Sequence, residues 1–168
     1  TPGHALQFKL LPYQGRIYVP ANHSQGDPLD GFNEYRAYGF YSDDHGQTFQ
    51  VSPDLNTLSS NEAIGVELPD GQLMLNVREQ NGASKTRLIA LSSSAGEQWD
   101  AEFFDSELIS PVCQSSLLLY EGVKDTILLY SGPNSTNQRI KMTIKGSLDQ
   151  GESWPLEKEI YSGTSAYS

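Results

Sequence analysis

The chain has 168 residues, enough for one domain with a sizeable core, and a formal net charge of −10 from 11 basic and 21 acidic residues. This charge argues against nucleic acid or an anionic membrane surface as a general partner, although a small anion could bind where arginines gather. No apolar run approaches the length of a membrane span, and Cys113, the only cysteine, cannot form an internal disulfide.

Short, often alternating apolar segments predict strands along the chain, and no segment has a long helical period. Turn sequences such as Pro69-Asp70-Gly71 separate these segments. The pattern therefore predicts an all-β protein. The predicted strands are, in chain order, 5–10, 16–20, 35–42, 63–68, 72–77, 86–92, 115–120, 126–131 and 140–147.

Three similar stretches recur with a period near 50 residues: SDDHGQTF from residue 42, SSSAGEQW from residue 92 and SLDQGESW from residue 147. Roughly four strands per repeat is the build of a propeller blade, and closed propellers have about four to eight blades. The chain is long enough for about three blades. A β-sandwich with three similar hairpins is the alternative, and the repeat favours the propeller.

The repeated stretch, Ser-x-[Asp/Ser]-x-Gly-x-x-aromatic, predicts a tight turn that we call the box turn. Its Ser and Asp side chains can accept bonds from backbone N–H groups just ahead, and its glycine supplies a positive φ. Ser94 replaces the aspartate in the second copy, so that turn should be looser. The carboxylates could instead bind calcium or act as catalytic acids, but one turn per repeat favours a structural role. The aromatic residues expected to be buried are Phe49, Trp99 and Trp154.

The segment 61–79, NEAIGVELPDGQLMLNVRE, predicts a hairpin that places an acid beside a base. Glu62 lies at the start of its first strand and Arg78 just past the end of its second, so both lie at the end away from the turn. Taken alone, such a pair is more often a surface ion pair of little energetic value. Arg139, which opens the strand running into the third box turn, is alone an ordinary solvated arginine.

These stretches resemble the exo-sialidase (neuraminidase) family of six-bladed propellers, whose structural mark is the Ser-x-Asp-x-Gly-x-Thr-Trp box. The similarity extends beyond the box turns and keeps the family's order across the whole chain. The matching segments are PGHALQ (2–7), RIYVPANHS (16–24), the 61–79 hairpin, SPVCQSSLL (110–118) and GTSAYS (163–168).

The resemblance implies roles for individual residues. Tyr167 falls on the nucleophile, and Glu62 on the acid that hydrogen-bonds it. Arg78 and Arg139 fall on two of three arginines that bind the carboxylate of sialic acid, a group that suits their planar forks. The remaining matches line the sugar pocket or its rim: Gln114, Asn22 and Ser24.

A tyrosine nucleophile makes physical sense for this substrate, which carries a carboxylate on the carbon under attack. A carboxylate nucleophile would approach against like charge, whereas a phenol is neutral until it reacts. Sialidases are a recognised exception to the two-carboxylate rule of glycosidases. An ordinary phenol is almost wholly protonated at neutral pH, so it needs a neighbouring base, which Glu62 can be.

The expected function is an exo-α-sialidase that removes terminal sialic acids with retention of configuration. The expected partners are sialylated glycans, glycoproteins or glycolipids. No cofactor is expected, and the spacing of the three histidines fits no metal site. Two alternatives stay open: a trans-sialidase with the same residues, and a non-catalytic propeller that binds glycans or proteins. The matched set Glu62, Arg78, Arg139 and Tyr167 favours an enzyme.

The resemblance also predicts that residues 1–168 form part of a single sialidase-like propeller domain, about three blades of an expected six. The N-terminal and C-terminal blades are then missing from this chain. The family's third arginine and its aspartate general acid precede the Pro-Gly-His segment, so we expect the isolated chain to be inactive. A secreted, periplasmic or lysosomal location is favoured over a cytoplasmic one.

Overall fold

The structure is a computed structural model that describes residues 3–168. These residues form three four-stranded antiparallel sheets and one short 3₁₀ turn, Asp30–Phe32. The first sheet contains β1 (Leu6–Gln7), β2 (Ile17–Ser24), β3 (Tyr35–Ser42) and β4 (Gln50–Val51). The second contains β5 (Ser60–Glu67), β6 (Leu73–Glu79), β7 (Thr86–Ser92) and β8 (Ala101–Ile109). The third contains β9 (Ser116–Glu121), β10 (Thr126–Pro133), β11 (Ile140–Ser147) and β12 (Leu156–Thr164).

Each sheet is a meander in which consecutive strands are hydrogen-bonded neighbours, as in a propeller blade. The predicted all-β partial propeller is therefore confirmed. The sequence pattern did not identify β4, β8 and β12, the last strand of each sheet. These strands are largely solvent-exposed, so they lack the apolar alternation that marks a half-buried strand. No helix within residues 3–168 has the length and hydrophobicity needed to cross a bilayer.

The core consists of two apolar clusters, one on each face of the second sheet. Alternation along β6 explains the arrangement, because Leu73, Leu75 and Val77 face the first sheet while Met74 faces the third. Every residue of β6 is buried. The second sheet therefore anchors the other two.

The three box turns occupy equivalent places, each joining the third strand of a sheet to the fourth. In every turn the serine hydroxyl accepts the N–H of the glycine four residues later, at 2.7 to 2.9 Å. All three glycines have positive φ, as predicted. The serine–glycine pairs are Ser42–Gly46, Ser92–Gly96 and Ser147–Gly151.

The aspartates of the first and third box turns accept several hydrogen bonds. Asp149 accepts the side-chain hydroxyl and backbone N–H of Ser153 at 2.5 and 2.9 Å, and Asp44 bonds Thr48 in the same way. The hydroxyl bond from Ser153 is the largest cause that holds the pKa of Asp149 at about 2. In the second turn, Ser94 accepts the N–H of Gln98 at 2.9 Å. Its hydroxyl is a weaker acceptor, so this turn is held less firmly.

The box aromatics do not all enter the core, and the expectation for Phe49 was wrong. Trp154 is buried and donates its indole N–H to Asp105 of the preceding sheet at 2.8 Å, while half-buried Trp99 donates to the carbonyl of Pro53 at 2.8 Å. Each tryptophan thus packs against the sheet before its own. Phe49 belongs to the first sheet, which follows no other sheet within residues 3–168, and it is 49% exposed.

One buried arginine joins the first two sheets at the box-turn end. Arg16 forms two hydrogen bonds with Asp43, at 2.7 and 2.8 Å, and one with Glu97 at 2.8 Å. Its guanidinium also lies 4.5 Å from the ring centroid of Tyr13 and 4.1 Å from that of Tyr41. Asp43 therefore contributes to the contact between the sheets.

We predict that Asp149→Asn lowers the melting temperature at pH 7, because an amide is a weaker acceptor than the carboxylate. The folded pKa of Asp149 is lowered from 3.8 to about 2, so its stabilisation is present above about pH 4 and is lost as pH falls towards 2. The melting curves of wild type and variant should converge over that range. Thermal unfolding followed by circular dichroism at several pH values measures both effects.

Ser94→Asp is the reciprocal control. It gives the second turn a carboxylate and should raise the melting temperature at pH 7, by less than Asp149→Asn lowers it. The gain is smaller because Gln98 supplies a backbone N–H but no hydroxyl. Identical melting temperatures for wild type and Asp149→Asn at pH 7 would contradict the assigned role of the carboxylate.

Candidate active site

An ion pair lies where β5 and β6 meet, at the end away from the Pro69-Asp70-Gly71 turn. Arg78 Nη1 donates to Glu62 Oε2 at 2.6 Å, and the two side chains are 10% and 17% exposed. The pairing shifts register between Ser60 and Ala63, so that β5 carries one extra residue opposite the end of β6. Such bulges redirect side chains and often accompany functional sites. The pair is therefore largely buried, unlike the surface pair that its sequence alone suggests.

The hydroxyl of Tyr167 lies against this ion pair, although Tyr167 is 105 residues from Glu62 in sequence. It is 3.2 Å from each oxygen of the Glu62 carboxylate, and Arg78 Nη1 donates to it at 2.9 Å. The backbone N–H of Tyr167 points to Cys113 Sγ at 3.5 Å. The phenol thus has an acceptor for its proton and a cationic donor at its oxygen.

Arg139 lies beside the ring of Tyr167. Its guanidinium carbon is 5.7 Å from the ring centroid, and its Nη2 donates to the carbonyl of Val112 at 2.9 Å. The carbonyl of Arg139 accepts the N–H of Ser165 at 2.8 Å, which joins this loop to the segment that carries Tyr167. The structure therefore brings Glu62, Arg78, Arg139 and Tyr167 to the same end of the sheets.

The predicted pocket glutamine is buried behind the site. Gln114 Oε1 accepts a hydrogen bond from Arg87 Nη2 at 3.3 Å. The preceding residue, Cys113, contacts Tyr167. Gln114 is thus adjacent to the site, and its contact with a sugar stays a prediction.

The two predicted rim residues on β2 differ in their relation to the site. Asn22 Nδ2 donates to Asn61 Oδ1 at 2.6 Å, and Asn61 directly precedes Glu62. Ser24 is exposed at the end of β2 and donates to the carbonyl of Gly26 at 3.3 Å. The contacts therefore tie Asn22 to the site through Asn61, whereas the bond of Ser24 is local. Their contact with substrate also stays a prediction.

Sequence reasoning missed Arg87, which is fully buried beneath the site. It donates to Asn76 Oδ1 at 2.6 Å and to the carbonyl of Cys113 at 2.5 Å. Burial lowers the pKa of Arg87. The available signal was an arginine inside the apolar strand TRLIALS, because charged residues are seldom placed in such a run without a partner.

The arrangement combines two chemical capacities. The Glu62 carboxylate can take a proton from the Tyr167 phenol, which would make its oxygen a nucleophile. The guanidinium groups of Arg78 and Arg139 can hold an anion next to that oxygen. Arg78 Nε is buried and has no hydrogen-bond partner within residues 3–168, which is an unusual state for a donor in a folded protein.

The fold and this site define a class of β-propeller, and comparison with known proteins identifies it. The BNR repeat-like domain model matches residues 1–168, so the chain belongs to the BNR repeat-like domain family. The chain is also 28% identical over 172 residues to a sialidase of Micromonospora viridifaciens, in an alignment covering 99% of this chain and 26% of that protein. It thus spans about a quarter of the length of this curated relative.

Solved structures of sialidase propellers are similar along nearly the whole chain. The Hadza microbial sialidase Hz136 matches with a TM-score of 0.81 and 27% identity, over 97% of this chain and 30% of its own. A leech intramolecular trans-sialidase in complex with 2,7-anhydro-Neu5Ac matches with a TM-score of 0.72 and 26% identity, over 99% of this chain and 24% of its own. These matches confirm the sialidase resemblance seen in the sequence.

We predict that Arg78→Met lowers the free energy of unfolding by about 1 to 3 kcal/mol, because it leaves the largely buried Glu62 carboxylate without its cation. Urea unfolding measures the change. Lys9→Met is the control, since Lys9 pairs with Glu121 at 2.5 Å but the two side chains are 71% and 58% exposed. It should produce no measurable change. Equal losses in the two variants would contradict the importance of burial at the Glu62–Arg78 pair.

Proposed function

We propose that this chain supplies the nucleophile, its base and two carboxylate-binding arginines of an exo-α-sialidase. The observation that carries the proposal is the Tyr167 hydroxyl, held 3.2 Å from both oxygens of Glu62 and 2.9 Å from Arg78. Sialidase homologues along the whole chain support it. The substrates are glycans, glycoproteins or glycolipids that end in sialic acid.

Binding begins with the carboxylate of the sugar. Arg139 is exposed beside the Tyr167 ring, and the Arg78 guanidinium bonds the Tyr167 hydroxyl, so both cations lie where a carboxylate beside Tyr167 would be attracted. In sialic acid this carboxylate is attached to the anomeric carbon. Holding the carboxylate therefore holds the carbon to be attacked, and such positioning is itself a large part of catalysis.

The first chemical step forms a bond between the Tyr167 oxygen and the anomeric carbon while the phenolic proton passes to Glu62. The glycosidic bond breaks, and its oxygen leaves with a proton from a general acid. In this proposal the general acid is a residue from outside the 168-residue chain. A neutral phenol suits this attack because it does not meet the substrate carboxylate with like charge.

The second step releases the sugar. A water oxygen attacks the anomeric carbon from the side vacated by the leaving group, and its proton returns to the general acid. The bond to Tyr167 breaks as Glu62 gives its proton back to the phenol. Two inversions yield net retention of configuration.

Two other outcomes share parts of this geometry. A trans-sialidase would use the same residues and pass the sugar to another hydroxyl, and the leech protein that is similar to this chain is an intramolecular trans-sialidase. A propeller that only binds glycans would need the arginines but has no use for a phenol bonded to a carboxylate. The Tyr167–Glu62 contact therefore favours an enzyme, and product analysis separates hydrolysis from transfer.

We expect Tyr167→Phe and Glu62→Gln each to lower kcat for a fluorogenic sialoside by about 10² to 10⁴-fold, because the first removes the nucleophile and the second its base. The assay uses protein extended on both sides of this chain, with the 168-residue chain measured alongside. Tyr161→Phe, an exposed tyrosine on β12, is the matched control and should be unchanged. Undiminished turnover by Tyr167→Phe would assign the nucleophile elsewhere.

Arg139→Ala should raise KM by about 10 to 100-fold, because a charge-assisted bond to the substrate carboxylate is lost. Arg139→Lys should recover only part of this loss, since an ammonium cannot form the two-bond fork. Initial rates over a range of sialoside concentrations give both constants. A KM for Arg139→Ala equal to that of wild type would remove Arg139 from the binding site.

A further inference from the structure

The buried guanidinium of Arg87 lies under the site with neutral acceptors around it. It is fully buried, and its hydrogen bonds go to Asn76 Oδ1 at 2.6 Å, the Cys113 carbonyl at 2.5 Å, Gln114 Oε1 at 3.3 Å and the Asn76 carbonyl at 3.4 Å. A buried cation without a carboxylate bonded to it is costly to keep in a folded protein. Stability alone gives no reason for an arginine here.

Two of the four acceptors of Arg87 belong to one short segment, Val112–Gln114, between β8 and β9. This segment is also bonded to the two exposed residues of the site. The Val112 carbonyl accepts Arg139 Nη2 at 2.9 Å, and Cys113 Sγ faces the N–H of Tyr167 at 3.5 Å. Three consecutive residues therefore connect the buried arginine to the proposed nucleophile and to a carboxylate-binding arginine.

The backbone of this segment is strained. Val112 has a φ of +56°, a left-handed conformation that a β-branched residue rarely adopts. A neighbouring loop packs closely against Val112 at Gly82, because a Cβ added to Gly82 would lie 2.4 Å from Val112 Cγ2. Strain of this kind persists where surrounding contacts hold the chain, and it accumulates at functional sites.

We propose that Arg87 is a positioning residue that fixes the Val112–Gln114 segment from below and so sets the places of Tyr167 and Arg139. Its Nε, Nη1 and Nη2 groups donate to Asn76, Cys113 and Gln114, and these bonds hold Cys113 and Gln114 against β6, where Asn76 lies. The segment then presents one carbonyl to Arg139 and one sulfur to Tyr167. The effect of Arg87 on catalysis rests on the sialidase function proposed above, whereas its effect on the segment does not.

Cys113 provides a direct reporter of the segment, since it is buried and is the only cysteine of the 168-residue chain. In Arg87→Met, the Cys113 thiol should react with a colorimetric disulfide reagent at least about tenfold faster than in wild type, because local opening becomes easier. Arg16→Met, which removes a buried arginine at the opposite end of the sheets, is the control. It should leave the thiol rate near that of wild type.

Activity supplies the second measurement, in the extended protein. Arg87→Met should lower kcat/KM by about 10 to 100-fold, through a lower kcat and a higher KM, because the nucleophile and a substrate-binding arginine are both displaced. Arg87→Lys keeps the charge but cannot bond Asn76, Cys113 and Gln114 together, so it should give intermediate values of thiol rate and kcat/KM. If Arg87→Met does not fold, as judged by circular dichroism, Arg87→Lys decides.

The outcomes separate this inference from the proposed function. An extended wild-type protein that cleaves no sialoside would end the sialidase proposal, while the thiol rates still test the hold of Arg87 on the segment. Wild-type thiol rates in both Arg87 variants would overturn the inference. A similarly faster reaction of the Cys113 thiol in Arg16→Met would also overturn it. A faster thiol reaction in Arg87→Met with an unchanged kcat/KM would overturn it as well.

Discussion

The inner strands of the second sheet are covered on both faces, and this double burial constrains the polar groups placed in them. On one face of β6, Leu73, Leu75 and Val77 fill the core shared with the first sheet. On the other face the residues change along the strand from Met74 to Asn76 to Arg78, moving from the box-turn end towards the site. Because these polar side chains are buried, each needs a partner within the protein. Arg87 bonds Asn76, and Glu62 bonds Arg78.

Although the chain is strongly acidic, the candidate site is cationic. The net charge is −10, yet Arg78, Arg87 and Arg139 are gathered at one end of the sheets. Acidic residues elsewhere favour solubility and do not favour an anionic ligand. Close to the site, the excess of guanidinium groups makes the local electrostatic potential positive over a few ångströms. The low dielectric of the buried surroundings strengthens this local potential.

Much of the fold could be predicted from sequence because its signals are local and repeated. The box turns recur at a fixed period, and alternation marks the inner strands. The Glu62–Arg78 contact also followed from hairpin geometry alone. The exposed outer strands, which carry no alternation, and the exposed Phe49, whose packing depends on a neighbouring sheet, could not be read in this way.

The rest of the site depends on contacts between residues distant in sequence. Tyr167 and Glu62 are 105 residues apart, so no local pattern relates them, and only family resemblance suggested the pair. The burial of Arg87 was not predicted, because a single charged residue in an apolar strand does not reveal which face of the sheet its side chain occupies. Its burial results from the packing of the third sheet over β7, a tertiary contact that the local sequence does not encode.

The meander connectivity has a consequence for how the chain folds. Every hydrogen-bonded strand pair joins neighbours in sequence, so the entropy lost in closing loops within a sheet is small. Association between sheets is then the slower and less local process, as in other repeat architectures where each unit contacts only its neighbours. Tyr167 and Glu62 meet only after the second and third sheets have docked. Assembly of the site is therefore a late event that reports on completed packing between blades.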